Sequence, residues 1–592
     1  MANQEIIQNS FNGGISDSDR IISYSGKILT SNGFKIAKHF DIFSDPKKLI
    51  PYRSFEADTN DGSTSTGMKQ YYVKDFLYAS ASAKLYGLGQ TGAGLTKIFY
   101  KADATTGNWT LPATSEGNGA VKNGCLVEYK DYLWGFQGTT QVFKWGLLSG
   151  TPSITNSAGT VGTVHNTVTG VTVNAGGTKY NINDVLTITN GNNSAQVIVN
   201  TVDANGVVLT ITILQAGSNQ FTGTALATTV VPSGGTGCTL NITTVADTAT
   251  TITSYANGVV AKDDNLYLPY NNILARVYPS GTVQDQALKL PTNLKITSIC
   301  NYGNYLAIGC SPINIYNGVS KVYLWNLTSP DIQEVIDWGE GELRVLETIE
   351  GMLVGITDRY LNNASGAGRG SLIIQGYSGG VPQVLKEVFT SKLNGISMPQ
   401  NKTVKNNRLF FVAKIMTNDA GTEYNEGIWS FGRKNASYPY ALSLDYIDEN
   451  ITTAGIQSFD SAGNFFFIAY NADGSIDKID DTATYAFTSI LETQICDFGD
   501  IDPDKTLLSF KVSFVKLTAG QSVVVKYKVD DATSWTTIGT FNTTDGVSHT
   551  FLREETNNVD FKSGHEYKFR IESLGGLSIT GYKAIARINA TP

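Results

Sequence analysis

The sequence predicts an all-β chain: a β-propeller of about seven blades, a small β domain inserted into it, and a C-terminal β-sandwich or jelly roll. Three observations carry this. A short phrase recurs seven times along the chain, one interval between copies is filled by a stretch of different composition, and the repeat stops near residue 491, where another strand pattern begins.

The phrase is a polar turn residue, a Leu or Phe, an apolar-aromatic strand, and a second strand often ending in Trp or Tyr. Copies begin at Asp75 (DFLYASAS), Asp131 (DYLWGFQG), Asp264 (DNLYLPY), Asn304 (NYLAIGC), Gly351 (GMLVGIT), Asn407 (NRLFFVA) and Gly463 (GNFFFIA). Measured at Leu77, Leu133, Leu266, Leu306, Leu353, Leu409 and Phe465, the intervals are 56, 133, 40, 47, 56 and 56 residues. A four-stranded blade takes roughly 40–50 residues, so the interval of 133 holds an insertion. Small antiparallel sheets of this kind cannot bury themselves alone; radial stacking buries their faces and limits exposed edges.

In chain order, residues 1–55 read as an extended N-terminal arm, with SFNGGISDSDR followed by KHFDIFSDPKKLIPYR. Two adjacent glycines let the backbone turn or approach another chain closely. Phe11, Phe40, Ile42, Phe43 and Tyr52 need burial, which makes Phe11, Gly13, Gly14, Ile15, Phe40, Phe43 and Tyr52 candidates for an arm lying on a neighbouring subunit. A frayed terminus, or a strand closing the last blade, is the alternative. Residues 56–158 form the first part of the propeller and 251–490 the second.

Between them, 159–250 is poor in aromatics and rich in Thr, Val, Asn and Gly, and it carries a degenerate duplication. VTVNAGGTKY matches ITILQAGSNQF, and VIVNTV matches LNITTV; about four short strands are expected in each half. From 491 to 592, LLSFKVSFVKL, SVVVKYKV, SWTTIGTF, SHTFLRE, YKFRIESL and TGYKAIARI alternate as the strands of a sandwich do.

Composition narrows the function. With 44 basic against 52 acidic residues the net charge is −8, which speaks against a general nucleic-acid-binding surface. Five cysteines without C-x-x-C spacing read as buried free thiols rather than disulfides or a zinc site. The four histidines are scattered, so no His-based metal or catalytic site is expected. KVDDATSWTTIG half-resembles the Asp-box of sialidase-type propellers but lacks its Ser/Thr and Gly and reads as a plain hairpin. DFGDIDPDK could hold calcium but lacks the loop glycine and distal glutamate of a calcium hand, and reads as a solvated turn. Neither an enzyme nor any cofactor is expected, although two acids for glycoside hydrolysis stay possible. No apolar run approaches a membrane span. MANQEIIQNSFNGG has no secretory leader pattern, the expectation for a protein assembled in the host cytoplasm and released by lysis.

One charge cluster stands out. Asp331, Glu334, Asp337, Glu340, Glu342, Glu347 and Glu350 face a single local cation, Arg344. They read either as a soluble, charged blade edge or, in a ring of identical copies, as a channel lining that repels DNA phosphates.

The arm followed by a propeller resembles the nozzle proteins of short-tailed bacteriophages, tubular tail components with a similar Gly-Gly-Ile-Ser stretch, here Gly13 to Ser16. Lys47 to Tyr52 stands where that family has a basic, proline-containing segment, but no proline closely follows the Gly-Gly-Ile-Ser stretch. The insertion is similar to small β-modules of phage virion proteins. The resemblance implies a structural virion protein of the phage tail: a homo-oligomer, a hexameric ring below portal and adaptor. Such a ring continues the DNA channel without specific DNA binding and offers docking surfaces for tail fibres and other tail proteins. Two rivals remain, a receptor-binding fibre or spike recognising host glycans, and a polysaccharide-degrading propeller enzyme.

Overall fold

The computed structural model describes residues 3–589 except 16–20, 22–23, 26–27, 31–32, 59–70, 80–81, 102–107, 121–125, 139, 190–194, 218–219, 221, 232–233, 250–251, 314–317, 329–330, 362–368, 391–401, 417–423, 448–455, 464, 471–475, 480–482, 486, 500–502 and 554–560. The fold is all-β and propeller-like. Among the described residues, seven four-stranded antiparallel meanders follow one another.

Sheet 1 comprises Tyr72–Ala79, Lys84–Gln90, Thr96–Lys101 and Trp109–Thr110, and sheet 2 Val127–Tyr129, Tyr132–Gln137, Gln141–Gly146 and Ser153–Thr160. Sheet 3 comprises Val259–Val260, Leu266–Tyr270, Ile273–Val277 and Val283–Lys289, and sheet 4 Leu294–Tyr302, Tyr305–Pro312, Val319–Trp325 and Glu334–Glu340. Sheet 5 comprises Glu342–Ile349, Met352–Leu361, Arg369–Tyr377 and Gln383–Thr390, and sheet 6 Lys402–Lys405, Arg408–Met416, Tyr424–Gly432 and Ala441–Ile447. Sheet 7 takes Ile456–Ala462, Phe465–Tyr470 and Ile476–Ile479 from late in the chain and its outer strand, Glu56–Ala57, from the N-terminal region.

The recurring turn residue now has a cause. The first and second strands are joined by two-residue turns whose centres both sit at positive φ in three sheets: Lys130-Asp131 (50° and 65°), Glu350-Gly351 (49° and 80°) and Asn406-Asn407 (51° and 59°). Tight hairpins of this hand match strand twist and favour Asn, Asp and Gly. The Leu after the turn lies in the second strand in sheets 2 to 6, fully buried each time. The first copy differs from its reading: Leu77 lies in the first strand of sheet 1, and the buried residue in the equivalent second strand is Leu85. Both strands are rich in Leu and aromatic residues, so the phrase alone could not separate them.

Apolar faces pack sheet against sheet. Tyr86 meets Trp145 between sheets 1 and 2, Phe136 meets Tyr270 between 2 and 3, and Tyr267 meets Trp325 between 3 and 4. Trp338 and Leu343 join sheets 4 and 5, Val354 and Phe411 join 5 and 6, and Phe410 and Ile468 join 6 and 7. Phe467 of sheet 7 packs with Phe99 of sheet 1, so the series returns to its start.

The region 161–249 adds six strands, Thr163–Thr178, Val185–Ile188, Ala195–Val202, Val208–Gln215, Gly223–Val231 and Thr236–Ala249. Each half contributes three strands rather than about four. The matched phrases fall in corresponding places, the first and third strands of each half. The last strand of the first half and the first of the second are paired, and Val168 N–H donates to Ala216 O at 2.9 Å, so the sheet nearly closes into a barrel. Tyr180, Leu186, Val197, Val199 and Leu240 fill it.

The largest departure concerns the two chain ends. One C-terminal sheet runs Tyr24–Ser25, Ile28–Thr30, Asn3–Gln8, Ile579–Ile588, Lys505–Phe514, Ser548–Leu552; the facing strands run Ile36–Lys38, Ser489–Glu492, Tyr567–Leu574, Ser522–Val529, Thr536–Phe541. Phe510 and Phe569, one from each layer, have ring centroids 4.7 Å apart. The sandwich is therefore built from both termini, and residues 1–55 are not an extended arm over their described part. Lys38 pairs with Ile490 of the sandwich and with Leu444 of sheet 6, tying the two units together.

Candidate functional site

The residues proposed for an inter-subunit arm are accounted for within the chain. Phe11 and Phe40 are wholly inaccessible and Ile15 and Phe43 nearly so, all in the core that the N-terminal strands share with the sandwich and sheets 5 and 6. Gly14 has φ +65°, and a Cβ there would lie 2.8 Å from Ala441 Cβ and from Leu442 O. This position needs glycine both for its left-handed backbone and for contact with sheet 6. Gly13, half-buried, sits in the turn before it. Ser16 lies outside the described residues. The Tyr52 ring lies 4.4 Å from that of Tyr446, and its hydroxyl donates to Asp445 Oδ2 at 3.2 Å. The apolar side chains did need burial; the chain's own C-terminal strands supply it, so no neighbouring subunit is required.

The seven acids do not form one surface. Glu334, Asp337 and Glu340 lie on the outer strand of sheet 4, whereas Glu342 and Glu347 lie on the first strand of sheet 5. Cations remote in sequence meet them: Lys321 reaches Asp337 at 2.7 Å, Lys295 reaches Glu342 at 2.7 Å, Lys402 reaches Glu347 at 3.0 Å and Arg433 reaches Glu350 at 2.6 Å. Arg344 bonds Glu342 at 2.8 Å, and Glu334 accepts from Tyr377 at 2.5 Å. Asp331 is exposed on the loop leading into that outer strand. The one-sided charge read from the local sequence is largely balanced by the fold, so these residues do not make a uniformly acidic lining.

Hydrogen bonds between first strands, or the turns beside them, link successive sheets. Tyr78 N–H donates to Asp460 Oδ2 (3.2 Å) from sheet 1 to 7, and Leu126 N–H to Asp75 Oδ2 (3.1 Å) from the start of sheet 2 to sheet 1. Tyr129 O–H donates to Asp264 O (2.6 Å), Asn257 Nδ2 to Ile299 O (2.9 Å) and Leu346 N–H to Ser298 Oγ (3.2 Å). Lys402 joins sheets 5 and 6 through Glu347, and Thr403 and Ser461 share a bond at 3.4 Å between 6 and 7. Asp75 and Asp460 are thus positioning groups: each short carboxylate holds the backbone of the next sheet.

Burial, reinforced by their mutual repulsion, pushes Asp75 up to about 7, and burial pushes Asp460 up to about 6. Between pH ~4 and ~7 the folded chain therefore holds protons that the unfolded chain has released. The carboxylates' contribution to stability is then greatest at the acid end of that window and falls as pH rises through it. Asp75→Asn, which keeps an acceptor for Leu126 N–H, is expected to flatten this fall in denaturant midpoints measured from pH 5 to 8. An unchanged pH slope would contradict it.

Among the described residues no group of three or more His, Cys, Asp or Glu is placed to hold a metal ion. Asp497 accepts from Gly499 N–H at 2.8 Å; Asp500 and Asp502 lie outside the described residues. Cys238, Cys300, Cys310 and Cys496 are buried free thiols, and Cys125 lies outside the described residues. No helix among the described residues is long and apolar enough to cross a membrane. Sequence reasoning missed Asp75 and Asp460 as a pair; Asp75 stood in a repeat phrase, but nothing local links it to a residue nearly four hundred positions away.

No family model and no curated protein sequence matches the chain. Solved structures similar to it, at low identity, include propellers. The phage phi92 endosialidase has TM-score 0.30 and 10% identity, over 65% of this chain and 68% of that one. The Neurospora crassa Pan2 WD40 domain has TM-score 0.32 and 6% identity, over 74% of this chain and 97% of that one. The Dos1 propeller has TM-score 0.34 and 11% identity, over 75% of this chain and 92% of that one.

Proposed function

We propose that this chain is a structural protein of a bacteriophage tail, a ring-forming, nozzle-like component whose seven sheets serve as the blades of one propeller. On this reading the inserted barrel and the two-ended sandwich are docking surfaces for neighbouring tail proteins and fibres, and the DNA passes without specific contacts. The observation that supports it best is the route of the N-terminal segment. It contributes strands to the sandwich, bridges sandwich and sheet 6 at Lys38, and closes sheet 7 at Glu56–Ala57. Such stitching makes one mechanically continuous scaffold, which suits a conduit under internal pressure better than a module that opens and closes. The Gly-Gly-Ile stretch of the family resemblance is part of that stitching.

Gold-conjugated antibody against residues 159–250, applied to intact and DNA-emptied particles, tests the reading. Label in a ring on the tail axis is the expected result. Label confined to fibre tips, or no label on any particle, would overturn it.

A further inference from the structure

We infer that the cleft between sheets 6 and 7 and the N-terminal segment binds a sugar acid, a polyhydroxylated ring bearing a carboxylate. The cleft encloses about 370 Å³, within the range of small-ligand sites. Three cations from different segments line it: Arg53 after the N-terminal hairpin, Lys405 at the end of the first strand of sheet 6, and Arg408 opening the second. Asp41 is the single carboxylate among its described lining residues, and the buried Asp445 stands behind it, accepting from Tyr52 Oη at 3.2 Å.

The cations are held in place by their surroundings. Arg408 Nη1 lies 3.2 Å from Asp41 Oδ1 and 3.2 Å from Tyr52 Oη, and its guanidinium lies over Phe43 and Phe410. Arg53 donates to Ala483 O at 2.5 Å and lies 4.8 Å from the centroid of Tyr485. Lys405 donates to Gly463 O at 2.5 Å and lies 4.9 Å from the centroid of Phe466. Preorganised cations of this kind favour carboxylate recognition, since charge-assisted bonds form without reordering long side chains.

Ser44 and Asn406 add a hydroxyl and an amide to the lining, which suit ring hydroxyls, while the Tyr52 hydroxyl is taken up by Asp445 and Arg408. Tyr485 is 36% exposed and lines the cleft, with the Arg53 guanidinium over its ring. Phe410, Tyr446 and Phe466 also line the cleft but are at most 5% exposed, so they are core residues rather than stacking platforms.

Glucuronate is the probe, with glucose and inorganic phosphate as comparators, titrated against the full chain by calorimetry. Glucuronate is expected to bind at least about tenfold more tightly than glucose, the effect of about one charge-assisted bond. Lys405→Gln and Arg53→Gln are each expected to weaken glucuronate by about tenfold while the chain still melts in one cooperative transition. No glucuronate binding, equal binding of glucose, or full binding by both variants would overturn the proposal. Phosphate binding as tightly as glucuronate would overturn the sugar assignment. None of these outcomes depends on where the chain sits in a particle.

Discussion

Lys101→Met is expected to destabilise the ring by about 3–5 kcal/mol, because it leaves Asp58 as a buried charge without its counter-ion. Lys101 Nζ lies 2.8 Å from Asp58 Oδ2, and both side chains are wholly inaccessible. Asp58 follows the strand that closes sheet 7, while Lys101 ends the third strand of sheet 1, so the pair fastens the junction where the ring meets its start. Trp109 Nε1 donates to the same oxygen at 3.0 Å, and the ammonium lies 5.5 Å and 5.6 Å from the Trp109 and Phe467 ring centroids. Denaturant unfolding followed by tryptophan fluorescence measures the loss. Replacing both partners at once, Lys101→Met with Asp58→Leu, is expected to recover most of it, since an apolar pair of similar volume carries no desolvation cost. A double variant as unstable as the single one would show that packing, not the charge, closes the junction.

Removing residues 1–57 is expected to abolish cooperative folding. Ile476–Ile479 would lose its outer partner and become an unpaired edge, a template for association. The shared core would lose Phe11, Phe34, Ile36 and Phe40, all at most 2% exposed. At ~1.5–3 kcal/mol for each side chain, the four amount to roughly 6–12 kcal/mol, comparable with the whole stability of a domain. Size exclusion of the truncated chain should show aggregates, and hydrogen exchange should show lost protection at Phe465–Tyr470. A monomer with native protection there would mean that the sheets hold together without the N-terminal strands.

These two expectations mark where sequence reasoning stopped. The hairpin rhythm was legible because it is local: a residue tolerant of positive φ, then a buried Leu two positions later, as at Asp131-Tyr132-Leu133. The duplication in the inserted unit was legible for the same reason. The register of the first copy was not, because Leu77 and Leu85 both stand on strands rich in Leu and aromatic residues and only pairing distinguishes them. The acids from Asp331 to Glu350 looked one-sided because their cations, Lys295, Lys402 and Arg433, lie on other sheets. The cleft was invisible because Arg53 and Lys405 are over three hundred residues apart and meet only when the N-terminal segment lies beside sheets 6 and 7.

By itself the sequence determined that the chain is all-β, where its hairpins turn, and that its N-terminal aromatic residues would be buried somewhere. Backbone preference and strand periodicity are properties of neighbouring residues, so they survive without coordinates. Only the tertiary structure decided that both termini build one sandwich, that Glu56–Ala57 closes the last sheet, and that Asp58 finds Lys101. Those choices depend on contacts between distant segments, whose energies exist only once the ring has closed.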